Sequence, residues 1–130
     1  AAQFNLGLKK FGADAEKNHR ALVRAVALRA LRGVVLATRV DTGRMRGNWQ
    51  VTEGAPAEGY KPDTADKSGQ ATIAKGNAVI GTATGRSMIW MHNGVPYAKY
   101  VNEWDKIVET TAHSLRVWIR AQANVRGAKP

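Results

Sequence analysis

The sequence predicts an α+β domain in which a long N-terminal helix, an antiparallel β-meander of four to five strands and a C-terminal helix follow one another. Apolar residues recur with helical spacing near both ends of the chain, and short alternating stretches separated by turn residues lie between them. The length of 130 residues is that of one ordinary domain, so we expect a single domain over residues 1–130.

The first helix is predicted to begin between Leu8 and Asp14 and to run to about Thr38, with Asp14 as a suitable N-cap. A core-facing stripe is formed by Leu22, Val23, Val26, Ala30 and Val34. The opposite side is basic, but it also carries Leu28, Leu31 and Val35. A helix that is apolar on both sides is expected to contact a second partner, such as another subunit.

The strands of the meander are predicted at Asn48–Thr52, Ala71–Ala74, Ala78–Thr82, Ser87–Met91 and Tyr97–Asn102. The second and third flank Lys75-Gly76-Asn77, which is a hairpin-type connection, and the last two flank the turn residues 92–96. After the first strand comes a long loop over residues 54–69, rich in Gly, Pro, Asp and Lys. We expect this loop to be mobile in the isolated subunit and to become ordered only against a partner.

The C-terminal helix is predicted over Lys106–Asn124, packed on the sheet, with Asp105 as its N-cap. Its apolar face consists of Val108, Ala112, Leu115, Trp118 and Ile119. Residues 125–130 lose this periodicity and are expected to form an irregular tail.

The net charge of +10 lies at the two ends of the chain. Residues 1–39 carry eight Lys or Arg against two acidic residues, residues 40–115 carry eight of each, and residues 116–130 carry four Lys or Arg and no acid. This distribution indicates either contact with nucleic acid or an acidic protein surface, or helix faces that are simply solvated. The residues singled out for contacts with phosphate or an acidic partner are Arg20, Arg24, Arg32, Arg116 and Arg120.

No pattern in the sequence indicates catalysis, a cofactor or a metal site. The three histidines lie in separate parts of the chain, and there is no cysteine. Residues 81–87, GTATGRS, have three residues between the glycines where a phosphate-binding loop has four, and Arg where that loop needs Lys. The sequence shows neither an apolar run long enough to span a membrane nor a signal peptide, so synthesis in a host cytoplasm is expected.

Residues 40–51, VDTGRMRGNWQV, resemble the signature of small neck, or minor tail and tail-completion, proteins of long-tailed phages. In that family a VDTGR-x-R-x-(N/S)W-x-V segment follows a long N-terminal helix. The resemblance continues through Asp66–Gly69, the segment 71–81 and the element IWMHNGVPYA at 89–98, and so covers about residues 4–101. After Tyr100 family members often continue with a Leu-Glu-x-Gly-x-Ser turn, whereas this chain reads VNEWDK straight into a helix.

Within this motif Asp41, Thr42 and Gly43 are expected to form a tight corner between the first helix and the first strand. Asp and Thr side chains accept hydrogen bonds from backbone N–H groups about two residues on, and Gly permits positive φ. Arg44 and Arg46 are then expected to project at a fixed place, where they would pair with carboxylates or phosphate of a partner. Trp49 is expected in the core.

The resemblance implies a non-enzymatic structural protein of the virion, located in the neck or tail-completion layer. It implies a ring-shaped homo-oligomer around the DNA channel, which contacts other neck, head-completion and tail-tube or terminator proteins. Non-specific contact with genomic DNA in the channel would suit the basic ends of the chain. The alternative function is that of a non-enzymatic, basic nucleic-acid-binding accessory protein. The mass of the purified protein distinguishes the two, because a ring-forming protein gives high-order species.

Overall fold

A computed structural model describes residues 2–6, 16–84 and 87–127 of the chain, and its architecture is α+β. The elements are β1 (Ala2–Leu6), α1 (Glu16–Ala37), α2 (Arg44–Gly47), β2 (Trp49–Glu53), α3 (Gln70–Gly81), β3 (Ile89–Asn93), α4 (Ala98–Asp105) and α5 (Ile107–Gly127). The described residues thus form three strands and five helices, where the sequence predicted a meander of four to five strands between two helices.

The three strands form one antiparallel sheet in the order β1-β3-β2. β3 is central, with Met91 opposite Phe4 of β1 and Val51 of β2. The predicted strands at 48–52 and 87–91 correspond to β2 and β3, shifted by one or two residues. β1 was missed, because its pairing partner lies more than 80 residues along the chain and leaves no local signal.

The predicted hairpin over residues 71–82 is wrong, because this segment is helix α3. Gly76, taken as a turn residue, lies inside that helix where it crosses α1 and β2. A Cβ at this position would meet the side chains of Leu31 and Val51, the latter at 2.8 Å. The glycine therefore permits close helix packing and does not mark a turn.

The predicted strand at 97–102 is also wrong, because Ala98–Asp105 form helix α4. Ala98 and Val101, three residues apart, are the positions it buries, which is a helical spacing. Lys106 then has a positive φ of 53° and separates α4 from α5. The side chain of Asn102 bridges the break, since its Oδ1 accepts the N–H of Val108 at 3.0 Å.

The two long helices were largely predicted. α1 ends at Ala37, whereas its predicted start and the Asp14 N-cap fall on residues 7–15, outside the described part of the chain. α5 extends to Gly127, so the predicted irregular tail is helical at 125–127, and residues 128–130 are not described. Asp105 ends α4 and is not the N-cap of α5.

α1 lies at the centre of the helical layer, between α5 and α3. Leu31 and Val35, which the sequence assigned to a second partner, are fully buried within the chain itself. α3 covers that side of α1, with Gly69 against Val35 and Gly76 against Leu31. α5 packs mainly along α1 and also contacts β1. The apolar interior is formed by residues of both the helices and the sheet, among them Val26, Val34, Ile80, Met91 and Ile107.

The loop over residues 54–69 finds hydrogen-bond partners inside the chain. Gln50 Nε2 donates to the Gly59 carbonyl at 3.2 Å, and Trp90 Nε1 donates to the Gly54 carbonyl at 3.2 Å. Farther along, the Asn48 side chain accepts the N–H of Lys61 at 2.6 Å and donates to its carbonyl at 3.0 Å. These partners lie on the sheet and at the C-cap of α2. The expected mobility of the loop in the isolated subunit stays a prediction.

Candidate functional site

The corner between α1 and β2 is built on a glycine with left-handed backbone. Gly43 has φ 85°, as the sequence predicted. The Thr42 Oγ1 accepts the N–H of Arg44 at 3.2 Å, and the Gly43 carbonyl accepts the N–H groups of Gly47 at 2.9 Å and Asp66 at 3.1 Å. A Cβ on Gly43 would lie 2.8 Å from the backbone nitrogens of both Asp66 and Lys67. The corner thus requires glycine for its dihedral angle and for its close approach to the 54–69 loop.

Arg46 does not project toward a partner, which corrects the prediction from the sequence. Its guanidinium donates to the carbonyls of Leu36 at 3.1 Å, Thr38 at 2.8 Å and Lys67 at 2.7 Å. Leu36 and Thr38 lie at the C-terminal end of α1, where carbonyls lack partners within the helix and carry partial negative charge. Arg46 therefore joins the end of α1 to the loop before α3. Arg44, by contrast, is exposed.

Trp49 is in the core, as predicted, with 4% of its surface exposed. Its Nε1 donates to Thr38 Oγ1 at 2.8 Å, and that hydroxyl donates to the Val34 carbonyl at 2.6 Å. The indole N–H is thereby satisfied in an apolar surrounding, where an unpaired donor would cost about 1–3 kcal/mol. β2 is fixed against the last turn of α1 through this pair.

Asp66 organises the start of α3, a role that the sequence did not reveal. Its carboxylate accepts hydrogen bonds from the N–H and Oγ1 of Thr72 at 2.8 and 2.7 Å and from the N–H of Gly69 at 3.1 Å. Desolvation by itself would raise the pKa of Asp66, but the hydrogen bonds from Thr72, Gly69 and Ser68 outweigh it, and the pKa lies below its usual value. The residue therefore stabilises the start of α3.

Next to the corner lies an exposed surface rich in large apolar side chains. We call it the corner surface and define it by Leu36, Val40, Tyr97, Tyr100 and Trp104. Tyr97, Tyr100 and Trp104 are spaced by three and four residues and so share one side of α4. Trp104 is 67% exposed and Tyr100 is 57% exposed. A groove of about 200 Å³ between the corner and α4 is lined by residues 39 and 41–45 together with Tyr97 and Val101.

Arg39 connects the corner to α4. Its guanidinium forms a bidentate ion pair with Asp105, with Nε–Oδ2 at 2.7 Å and Nη2–Oδ1 at 2.6 Å, and lies 5.7 Å from the centre of the Trp104 ring. The hydrogen bond to Arg39 is the largest cause that lowers the pKa of Asp105, and the same bond raises the pKa of Arg39. The ion pair neutralises the charges of Arg39 and Asp105 beside the Trp104 ring.

The five arginines singled out from the sequence are all exposed. Arg32 lines a groove between α1 and α5, together with Arg29. Arg20 and Arg24 precede that groove along α1 and do not line it. Arg116 lies two positions after the groove residue Ser114, about 200° around α5, and therefore on the side away from the groove. Arg120, four residues later, lies on the same side as Arg116. Arg29 was missed, because only the packing of α5 shows which side of α1 borders the groove.

Within residues 20–84 and 87–122, no group of three histidine or acidic side chains could hold a metal ion. His92 is 6% exposed, and its Nδ1 has no hydrogen-bond partner. Desolvation is the main cause that lowers its pKa, so the imidazole is neutral near pH 7.

Comparison with protein families finds a match over residues 2–103. It is to the HK97-gp10-like family, described as "Bacteriophage HK97-gp10, putative tail-component". The chain belongs to the HK97-gp10-like family. The match ends within α4, so α5 lies beyond it. No curated protein and no solved structure matches the chain significantly.

Family membership confirms the coarser part of the resemblance drawn from the sequence, namely that to phage tail and neck proteins. A tail-component family is a family of virion structural proteins, which are in general not enzymes and act through contacts with other virion proteins. In the described part of the chain, no helix has the length and apolar character that crossing a membrane requires.

Proposed function

We propose that the protein is a subunit of the ring-shaped neck or tail-completion layer of a tailed phage, around the DNA channel. The observation that carries this proposal is the corner surface, held beside a corner that is fastened by hydrogen bonds within the chain. Tyr, Trp and Arg are the side chains most enriched at the centres of protein–protein interfaces. Exposed on one side of α4, Tyr97, Tyr100 and Trp104 supply this chemistry together with Arg39.

The corner surface suits a protein partner better than DNA. Arg39, the cation beside Trp104, is already paired with Asp105, so binding at the corner surface would rest on aromatic contact. A closed ring needs head-to-tail contacts between two different patches of neighbouring subunits. We therefore assign the corner surface to a contact with the next subunit of the same ring, with other neck, head-completion and tail-tube or terminator proteins above and below it.

The experiment compares the mass distribution of assembled species for Tyr100→Ala/Trp104→Ala with that of the wild type. Loss of an aromatic residue from the centre of an interface typically costs about 2 kcal/mol or more, which corresponds to roughly 30-fold in affinity. We expect ring species, alone or copurified with tail components, to be lost while the melting temperature of the subunit is nearly unchanged.

Tyr60→Ala is the matched control, because Tyr60 is 40% exposed but lies in the 54–69 loop, outside the corner surface. Its assembly should equal that of the wild type. The proposal is wrong if the double variant assembles normally, or if the wild type is found only as a monomer or dimer and copurifies with no tail component. The latter result would favour the nucleic-acid-binding accessory protein.

A further inference from the structure

The groove between α1 and α5 combines cations and hydroxyl groups without a carboxylate. Its volume is about 440 Å³, and it is lined by Arg29, Arg32, Gly33, Ala37, Thr110, Thr111, Ser114 and Leu115. The exposed groups are Arg29 and Arg32 on α1, three residues apart, and Thr110 and Ser114 on α5, four residues apart. Each pair therefore lies on one side of its helix, facing the same groove.

Close packing of the two helices holds these pairs in place. A Cβ on Gly33 would lie 2.7 Å from Thr111 Cγ2, so α1 and α5 approach at this residue as only glycine allows. The Arg29 guanidinium lies 4.6 Å from the centre of the Trp118 ring. Stacking on an indole fixes the plane of a guanidinium and leaves the N–H groups at its edge available for an anion.

The nearby acidic side chains are engaged elsewhere. Asp105 is paired with Arg39, and Glu109 Oε1 accepts a hydrogen bond from Asn102 Nδ2 at 3.0 Å. Within residues 20–84 and 87–122 the ion pair of Arg39 and Asp105 is the only one, so neither Arg29 nor Arg32 is neutralised by a carboxylate there. The two guanidinium groups that line this groove can offer paired N–H donors to an anion, and the two hydroxyls can add further donors.

We propose that this groove binds the phosphate backbone of duplex DNA, with Arg29 and Arg32 as the charged contacts and Thr110 and Ser114 as hydrogen-bond donors. The proposal rests on the proposed function, since a neck ring encloses DNA, and it assigns the surface that meets the duplex. This proposal differs from a diffuse attraction of DNA to all exposed arginines, because it predicts that Arg29 and Arg32 contribute most of the binding. α5 lies beyond the family match, so the α5 side of the groove, which includes Thr110 and Ser114, belongs to the part of the chain that the family model does not cover.

The test is a titration of the subunit with a short duplex of mixed sequence at several salt concentrations. Each phosphate neutralised contributes a slope of about −0.9 in log K against log salt, and non-specific affinities lie near 10⁻⁴–10⁻⁶ M. Arg29→Gln/Arg32→Gln is expected to make the slope shallower by about 1.8, which corresponds to two phosphate contacts. Arg116→Gln/Arg120→Gln removes the same charge from the other side of α5 and is expected to leave the slope within about 0.5 of the wild type.

Thr110→Val/Ser114→Ala separates hydrogen bonding from charge. It should weaken binding several-fold with the salt slope unchanged, and circular dichroism melts confirm that each variant is folded.

Equal losses of DNA binding in the two arginine double variants would mean diffuse attraction and overturn the proposal, as would a wild-type subunit that does not bind the duplex. Normal DNA binding combined with lost assembly in Arg29→Gln/Arg32→Gln would assign the groove to an acidic protein instead. The titration uses the isolated subunit and does not depend on ring formation. The ring proposal and the DNA-binding proposal can therefore be refuted separately.

Discussion

Replacing Gly43 by Ala should destabilise the protein through two separable effects at the corner. The first is the positive φ of 85°, which costs an L-residue about 1–2 kcal/mol. The second is steric, since the new Cβ would lie 2.8 Å from the backbone nitrogens of Asp66 and Lys67 and 2.9 Å from the Asp66 carbonyl carbon. Backbone cannot rotate away as a side chain can, and such overpacking costs about 1–3 kcal/mol. The combined loss is on the order of 2–5 kcal/mol.

Gly54→Ala is the matched control. Gly54 also has a positive φ, 96°, but a Cβ there meets nothing within 4 Å. It therefore carries the dihedral cost alone, about 1–2 kcal/mol. The difference between the two variants in chemical denaturation measures the steric contribution at the corner. For a chain of this length, about 1 kcal/mol shifts the melting temperature by roughly 4 °C, so the gap should be several degrees.

Equal stability losses in Gly43→Ala and Gly54→Ala would show that the 54–69 loop moves away from the corner without cost. The close packing of Gly43 on Asp66 would then not stabilise the fold. A Gly43→Ala variant as stable as the wild type would also refute the energetic cost assigned to the positive φ at this position. Arg44→Ala, which alters an exposed side chain next to the glycine, should change stability by less than about 0.5 kcal/mol.

Three further predictions follow from contacts inside the fold. Arg46→Ala should cost about 2 kcal/mol in chemical denaturation, because it leaves the Leu36, Thr38 and Lys67 carbonyls without their charged donor, and Arg46→Lys should recover only part of this. Asp66, whose pKa is lowered in the folded state, stabilises the protein above its unfolded pKa of about 3.9, and this is lost as pH falls through the lower folded pKa. Melts from pH 7 to pH 2 should therefore show a smaller acid loss in Asp66→Asn, which is less stable than the wild type at pH 7. Gly76→Ala should destabilise by about 1–3 kcal/mol through overpacking on Leu31 and Val51, whereas Gly81→Ala on the same helix, with open space around it, should be neutral or stabilising.

The sequence predicted the elements whose signal is local and long. α1 and α5 have 22 and 21 residues, so their apolar spacing repeats over several turns and is distinct from a strand pattern. α3 and α4 have 12 and 8 residues, and each offers only two or three apolar repeats. In α3 the central Gly76 favoured a turn in the sequence analysis. The reason for a glycine inside this helix is its packing against Leu31, a tertiary contact that the local sequence does not show. Ile73, Gly76 and Ile80, at spacings of three and four, were the available helical signal.

The corner was predicted in its backbone and only partly in its side chains. Thr42 and Gly43 act through residues next to them, so their roles follow from the sequence itself. Arg44 and Arg46 look equivalent in the sequence, and nothing local tells them apart. Their difference arises because the end of α1 and Lys67 place three carbonyls around Arg46, which only the folded chain defines. The same holds for Asp66, whose partner Thr72 lies six residues away.

The segment 40–51 and α4 therefore contribute to the candidate site in different ways. Gly43, Arg46 and Trp49 are turned inward, and their hydrogen bonds fasten α1, β2 and the loop before α3 to one another. The aromatic residues available to a partner lie on α4 and at its N-cap, Tyr97, much farther along the chain, and Trp104 lies just beyond the family match. Changes in the segment should therefore act first on folding, and changes in α4 on assembly. A variant such as Arg46→Ala that lost assembly at unchanged subunit stability would show that this division is wrong.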